Sequence, residues 1–228
     1  MDIGIFGATG TIGRTVVAEA RSRGHRVTAC TRSRSRVPAE VEGVTWKVAD
    51  PTDPVGVAQA ITGLDVVVNA INAGESIPDQ IANAGVLPAA AAVLLKALEQ
   101  RPSTRLIVVG GGGSLEIEPG VRLIDTGAAF DRILTDVLEV PVEYRKVVQA
   151  QVDVLDLCRL SNRNWTYISP SAGRIDSGER TGRYRIGGDQ VIPDREGGGS
   201  ICAEDIAAAL LDEIEIPRHI QRRFTVGY

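Results

Sequence analysis

The apolar stretch Ile3–Phe6 runs straight into Gly7-Ala8-Thr9-Gly10-Thr11-Ile12-Gly13, where glycine recurs at every third position. An extended segment that meets glycines at this spacing and then continues with helix formers reads as a strand turned sharply back into a helix. The theme repeats along the chain. Apolar runs at 2–6, 26–30, 44–48, 65–69, 105–109 and 165–169 read as strands, and amphipathic patterns at 11–23, 54–61, 88–100 and 144–160 read as helices. Gly24 suits a helix stop, and Pro88 suits a first helical turn. Strands alternating with helices of this length pair in parallel through right-handed crossovers. The expected fold class is therefore α/β, a doubly wound, Rossmann-like parallel sheet.

The last third changes character. Residues 170–200 are rich in Gly, Arg and Ser and are expected to form a substrate-side excursion, with a hairpin at 183–192 turning on Gly187-Gly188. A helix at 203–214 and a strand at 223–226 follow. The expected organisation is one domain over 1–228 with a small C-terminal elaboration.

Each glycine of the first turn has a different task in such a strand–turn–helix. Gly7 permits the tight turn, Gly10 lets a pyrophosphate approach the backbone, and Gly13 allows the helix to lie close to the sheet. The free N–H groups and positive dipole of the helix N-terminus then face the phosphates. The turn thus predicts a dinucleotide. Its second strand predicts which one. A site for NAD usually ends that strand with an acid for the ribose 2′-hydroxyl. Here no acid stands between Glu19 and Glu40, six arginines do, and Arg32 follows the strand, with Arg34 and Arg36 next. A guanidinium fork matches a 2′-phosphate, so NADP(H) is expected in preference to NAD(H).

Bulk properties exclude other classes. A net charge of −4 argues against nucleic acid as a partner. The longest apolar run, 89–95, is too short to span a bilayer, so no membrane is expected. Cys30, Cys158 and Cys202 lack metal-ligand or CxxC spacing, and the two histidines are too few for a multi-histidine metal site. Reduced thiols and the absence of a basic leader give the cytoplasm as the expected location, with a monomer or homodimer as the expected assembly.

The blocks "GATGTIG", "TRSRSR", Ala49-Asp50, "VVVNAINAG", "VVGGGGSLEIEPGVRLIDT", "EYRKVV", "WTYISPSAGRI" and "GERTGRYRIGGDQ" together resemble the atypical short-chain dehydrogenase/reductase group of NAD(P)H-binding proteins known as NADH-flavin reductases. The resemblance extends over nearly the whole chain. It implies that Gly7, Thr9, Gly10, Thr11, Ile12 and Gly13 form the cofactor turn. It also implies that Arg32 and Arg36 face the 2′-phosphate, Asp50 lies by the adenine, and Asn69 and Ala70 approach the nicotinamide ribose.

Carbonyl reduction in that superfamily uses Ser, Tyr and a Lys four residues after the Tyr, the lysine easing proton donation. The candidate tyrosine is Tyr144, but the fourth residue on is Val148. Lys146 falls on the opposite helix face, and Arg145 stays charged. Tyr144 reads either as a pocket residue or as the first turn of a core helix with Val148, Val152 and Leu155 buried. Ser114, after the glycine run, reads as a pocket-lining hydroxyl near the nicotinamide or as a turn cap. Asp125 reads as a turn former or a pocket carboxylate.

An incomplete acid disfavours unactivated ketones. A flavin or quinone spreads incoming charge over its ring and needs only position and exclusion of water. The expected function is an NADPH-dependent reductase whose partner is a small-molecule acceptor, with flavin a candidate substrate. The alternative is a non-catalytic NADP(H) sensor or partner-binding protein. A sugar-nucleotide epimerase fits less well for want of the lysine.

Overall fold

The computed structural model describes residues 1–38, 42–171, 173–192 and 201–228. Residues 172 and 193–200 of the expected 170–200 excursion lie outside the described residues, as does Glu40. The strands are β1 (Asp2–Phe6), β2 (Arg26–Thr31), β3 (Val44–Val48), β4 (Val66–Asn69), β5 (Arg105–Val109), β6 (Glu116–Glu118), β7 (Val121–Arg122), β8 (Trp165–Pro170), β9 (Ile175–Asp176), β10 (Arg185–Gly187), β11 (Ile201–Cys202) and β12 (Arg222–Gly227). The α-helices are α1 (Thr11–Ser22), α2 (Pro54–Ala60), α3 (Ile77–Ala82), α4 (Val86–Ala97), α5 (Ala128–Arg132), α6 (Arg145–Leu160) and α7 (Ala203–Glu215).

Eight of the described strands form one sheet in the order β10-β12-β8-β5-β4-β1-β2-β3, parallel throughout except for β10 against β12. The central strands β1, β4 and β5 are buried and largely apolar on both faces because helices cover both. On β1, Ile3 and Ile5 face the layer built with α1 and α7, while Phe6 faces the layer of α2, α4 and α6. On β5, Ile107 belongs to the first layer, and Leu106 and Val108 to the second. Gly4 leaves room for Leu64, whose Cδ1 would lie 2.3 Å from a Cβ there. Among the described residues no helix is long and apolar enough to cross a membrane.

The elements differ from sequence expectation in four places. Helix α4 begins two residues earlier than Pro88 and gives way to a 3₁₀ turn at Leu98–Gln100. Tyr144 stands before α6, in the 3₁₀ turn Val142–Tyr144. The short helix α3 carries a capping box, Ser76 with Asp79, and its "SIPD" signal is legible in hindsight. The expected local hairpin at 183–192 does not form. Instead β10 pairs with β12, and the limb after Gly187-Gly188 returns to Glu116 through Glu116 N–Asp189 O (2.9 Å) and Val191 N–Glu116 O (3.0 Å). The buried Arg223 draws Asp189 in at 2.6 and 2.9 Å, and Thr225 Oγ1 donates to Gly188 O at 2.8 Å. These tertiary partners replace the local ladder.

A buried charge cluster stands at the amino end of the central strand β5, whereas the glycine turn follows the carboxyl end of β1. Arg105 opens β5 and donates to Thr166 Oγ1 and Glu213 O, both at 2.7 Å, and pairs with the Glu213 carboxylate. Glu213 also accepts from Arg218 N (3.0 Å), His219 N (2.9 Å) and His219 Nδ1 (2.7 Å). Burial opposes ionisation of Glu213, yet the hydrogen bonds from His219, Arg105 and the Arg218 backbone outweigh it and hold the carboxyl below its ordinary value. Glu213→Ala leaves Arg105 buried without a counter-charge and should lower the unfolding free energy by about 3–5 kcal/mol. Because the folded-state value lies below the unfolded one, the stabilisation from Glu213 is complete above the unfolded value and disappears as pH falls through the folded one. Urea midpoints taken downward from neutral pH should fall in the wild type and fall less steeply in Glu213→Gln.

Candidate functional site

The strand order reverses at β1. The chain passes from β1 to β2 on one side, and the crossover from β3 returns to β4 on the other. Loops after β1 and β4 therefore diverge at their carboxyl ends and leave a crevice. A cavity of about 410 Å³ opens there, lined at one end by Gly10, Thr11, Ile12, Ala70, Ile71 and Asn72. Gly110–Gly113 also line it, with Gly113 beside Val148 and Phe130, and those two join Leu138, Val140 and Tyr144 in one apolar cluster along its wall.

Two of the three glycines, Gly7 and Gly13, do the turn and packing work that their spacing predicts. Gly7 has φ +80°, and a Cβ there would lie 2.3 Å from Ala70 O. A Cβ on Gly13 would lie 2.0 Å from Gly7 O, so only glycine lets α1 sit this near the turn. Gly10 is different. Its φ of −77° suits any residue, and the nearest atom to an added Cβ is Gly7 O at 3.3 Å. A Cβ there makes a tight contact that a small adjustment of the turn relieves, and a larger side chain would stand over the start of α1. No side chain caps α1, and the N–H groups of Thr11, Ile12 and Gly13 find no acceptor among the described residues. These donors and the helix dipole suit a pyrophosphate. Thr9 sits half-buried in the turn and Gly7 and Gly13 lie beneath it, all outside the cavity lining.

At the end of β2, Arg32 is exposed and has no hydrogen-bond or salt-bridge partner among the described residues. Asp50, after β3, accepts from Thr52 Oγ1 (2.6 Å) and Thr52 N (2.8 Å). Those bonds hold its carboxyl below the ordinary value, with burial opposing and the charge of Arg32 adding a smaller pull. Arg36 lies against Glu75, a residue that the sequence pattern did not single out. Asn69 is buried at the end of β4, its Oδ1 accepting from Ile71 N at 3.2 Å.

The other half of the cavity is mainly apolar. Tyr144 donates to Gln80 Oε1 at 2.9 Å, and burial pushes its pKa up. Val148 lines the cavity where the superfamily has lysine, and Lys146 is exposed. Ser114 is a correction to the pocket-lining expectation. It is buried outside the lining, and its Oγ and carbonyl accept from Arg223 Nη1 at 2.9 and 2.8 Å. Asp125 pairs with Arg122 at 2.6 and 3.0 Å. The glycine run has a packing cause, since an added Cβ would meet the Tyr167 ring at Gly110, Gln151 at Gly111 and Val148 at Gly113, each within 2.1 Å. The lining residues Gln80, Phe130, Leu138 and Val140 escaped sequence reading because they come from segments with no strong periodic signal. Among the described lining residues Arg174 is the one cation, and Glu139 holds it at 2.6 Å.

The profile of a family described as NAD(P)H-binding matches residues 7–217. The uncharacterized protein YwnB of Bacillus subtilis (strain 168) is 37% identical over 230 residues, covering 99% of this chain and 98% of the relative. The crystal structure of a candidate exported protein from Burkholderia pseudomallei is 38% identical and covers 100% of both chains, with a TM-score of 0.82. That of a candidate NADH-flavin reductase from Streptococcus pneumoniae TIGR4 is 32% identical, covers 100% of this chain and 99% of its own, and has a TM-score of 0.81.

The glycine geometry separates two neighbouring substitutions. Gly13→Ala drives a Cβ into backbone and should destabilise the fold by roughly 3 kcal/mol. Gly10→Ala meets nothing closer than 3.3 Å and should change stability by less than about 1 kcal/mol. Denaturant midpoints of the two variants measure the difference.

Proposed function

The chain belongs to the NAD(P)H-binding family, in its atypical short-chain dehydrogenase/reductase branch, and from this premise we propose that it is an NADPH-dependent reductase of a flavin, quinone or similar conjugated acceptor. The observation that carries the reading is the two-part cleft, with unsatisfied backbone donors at one end and an apolar chamber lacking an assisted proton donor at the other. The candidate NADH-flavin reductase of Streptococcus pneumoniae, to which the chain is similar, supports the same class of acceptor.

In this reading the reduced nicotinamide, when bound, supplies the hydride. The chain's own residues bind, orient and exclude water. The N–H groups of Thr11, Ile12 and Gly13 receive the pyrophosphate, and Arg32 receives the 2′-phosphate with Arg36 beside it. Asp50 lies by the adenine, and Asn69 and Ala70 by the nicotinamide ribose. Phe130, Leu138, Val140 and Val148 form a dry wall against which a flat ring packs. Tyr144, tied to Gln80, positions the acceptor and is not its acid. We place the protein in the cytoplasm, where NADPH is supplied, as a monomer or homodimer.

The second reading, a cofactor sensor without turnover, is favoured by one observation. Both candidate hydroxyls are engaged, Tyr144 by Gln80 and Ser114 by Arg223. Steady NADPH oxidation with FMN or menadione, above an enzyme-free control, supports the reductase. Tight NADPH binding with no such oxidation supports the sensor. Tyr144→Phe should retain most of the turnover, and a fall of several orders of magnitude in kcat with binding intact would reverse the role assigned to Tyr144. Arg32→Ala removes a charge-assisted pair of roughly 1.5–3 kcal/mol and should weaken NADPH about ten- to hundredfold, leaving NADH nearly unchanged. Calorimetric dissociation constants for both cofactors, at one modest salt concentration, decide it. Equal binding of both cofactors by the wild type withdraws the NADP(H) assignment.

A further inference from the structure

Ile77 and Gln80 stand three apart on the short helix α3, and both line the cavity. Side chains at that spacing share a helix face, so α3 presents one apolar group and one carboxamide to the chamber. Local structure fixes where Gln80 stands. Ser76 caps the helix, its Oγ donating to Asp79 Oδ2 at 2.6 Å and accepting from Asp79 N at 3.2 Å, and Gln80 N donates to Ser76 O at 2.9 Å. The preceding loop is pressed against the same turn, since a Cβ on Gly74 would lie 2.5 Å from Asp79 Cβ and 2.9 Å from Gln80 N.

Gln80 is 7% exposed, and its carboxamide offers an acceptor at Oε1 and two N–H donors at Nε2. Tyr144 Oη donates to Oε1 at 2.9 Å, and no other hydrogen bond engages the side chain among the described residues. Burial pushes the Tyr144 pKa up, so the phenol keeps its proton and Oε1 stays the accepting end. Both Nε2 hydrogens are left over. Nε2 is not sealed within the packing, and the open space that Gln80 borders is the cavity. A flat ring that fills the chamber displaces solvent from these donors. It must then accept from them or leave them unpaired, which is costly.

The other two amides of the lining differ. Asn72 is exposed and spends its Oδ1 on Ala73 N at 2.8 Å. Gln151 lies along Gly111, and no hydrogen bond fixes its side chain among the described residues. Of the three, Gln80 is the one both buried and held in one orientation by a partner. A donor needs both properties to stabilise charge without reorganising.

We propose that the Gln80 Nε2 group receives a ring carbonyl oxygen of the acceptor, and that Tyr144 is a positioning residue that holds the carboxamide in that orientation. This rests on the reductase reading given above and deepens it, narrowing the acceptor to conjugated carbonyl compounds. A quinone gains a hydride, two electrons with one hydrogen, from the reduced nicotinamide, which is left oxidised. The product anion carries its charge on oxygen, and solvent supplies the second proton. An amide N–H bonds more strongly to that charged oxygen than to the neutral carbonyl, so it lowers the barrier while keeping its own proton.

The test uses menadione and FMN with the wild type, Gln80→Met, Gln80→Glu and Tyr144→Phe. Thermal midpoints and the calorimetric dissociation constant for NADPH confirm that each variant is folded and takes up cofactor. Gln80→Met fills similar space without a donor and should lower kcat/KM about ten- to hundredfold, mainly in kcat, for whichever acceptor the wild type reduces. Gln80→Glu keeps the shape, replaces the amide donors with a carboxylate and should lose at least as much. Tyr144→Phe leaves the donor in place and should keep most of the turnover. Without turnover, menadione bound beside NADP⁺ should show its carbonyl stretch at lower frequency in the wild type than in Gln80→Met, because the hydrogen bond weakens C=O. A wild type that reduces either acceptor, with both Gln80 variants matching it, overturns the inference and leaves the reductase reading standing. A carbonyl stretch that Gln80→Met does not move overturns it too. So does a loss in Tyr144→Phe equal to that in Gln80→Met, which makes the phenol the donor. If the wild type reduces neither acceptor, the reductase reading falls and the inference falls with it.

Discussion

The approach of Gly13 to the carbonyl of Gly7 is the contact on which the site depends. A side chain at position 13 would stand 2.0 Å from that oxygen, and moving the helix away to make room would carry its N-terminus off the sheet edge. With glycine there, α1 starts directly above the end of β1, held by Gly10 N–Gly7 O and Arg14 N–Gly10 O, each 3.0 Å. The open backbone donors are thus a by-product of close packing. They need no dedicated side chain.

The cleft then divides by the chemistry of its walls. Its first half offers backbone N–H groups and nearby guanidinium groups, which suit a polyanion. Its second half is closed by Phe130, Leu138, Val140 and Val148, with Tyr144 and Gln80 hydrogen-bonded to each other. A half-buried hydroxyl already donating to a neutral amide, its pKa raised by burial and lowered by no charge among the described residues, is a poor proton source. An acceptor that disperses negative charge over a ring places the least demand on such a chamber.

Buried guanidinium groups organise the regions the sheet does not. Arg223 draws together the end of the glycine run at Ser114 and the turn at Asp189, and so decides that Ser114 faces the protein. Arg105 does similar work at the amino end of β5, where Glu213 links α7 to the segment containing His219. In both places one planar cation satisfies backbone and side-chain acceptors from separate segments, which a neutral side chain of the same volume cannot do.

Much of this was legible in the sequence. The alternation of apolar runs with helical patterns set the α/β class, because strands buried on both faces must be apolar throughout and their crossovers must be helical. The glycine spacing set the turn, since Gly7 needs a positive φ and Gly13 needs to lack a Cβ. The run of arginines without an acid marked the end of β2 as cationic. Tertiary structure alone decided the partners. Glu75 lies against Arg36 because their loops follow the two strands that flank β1, Gln80 meets Tyr144 because α3 packs beside the start of α6, and β10 joins β12 in place of a local hairpin. The physical reason is common to all three. A residue's periodicity reports which face it presents, whereas its hydrogen-bond or ionic partner depends on which distant segment the sheet order brings to that face.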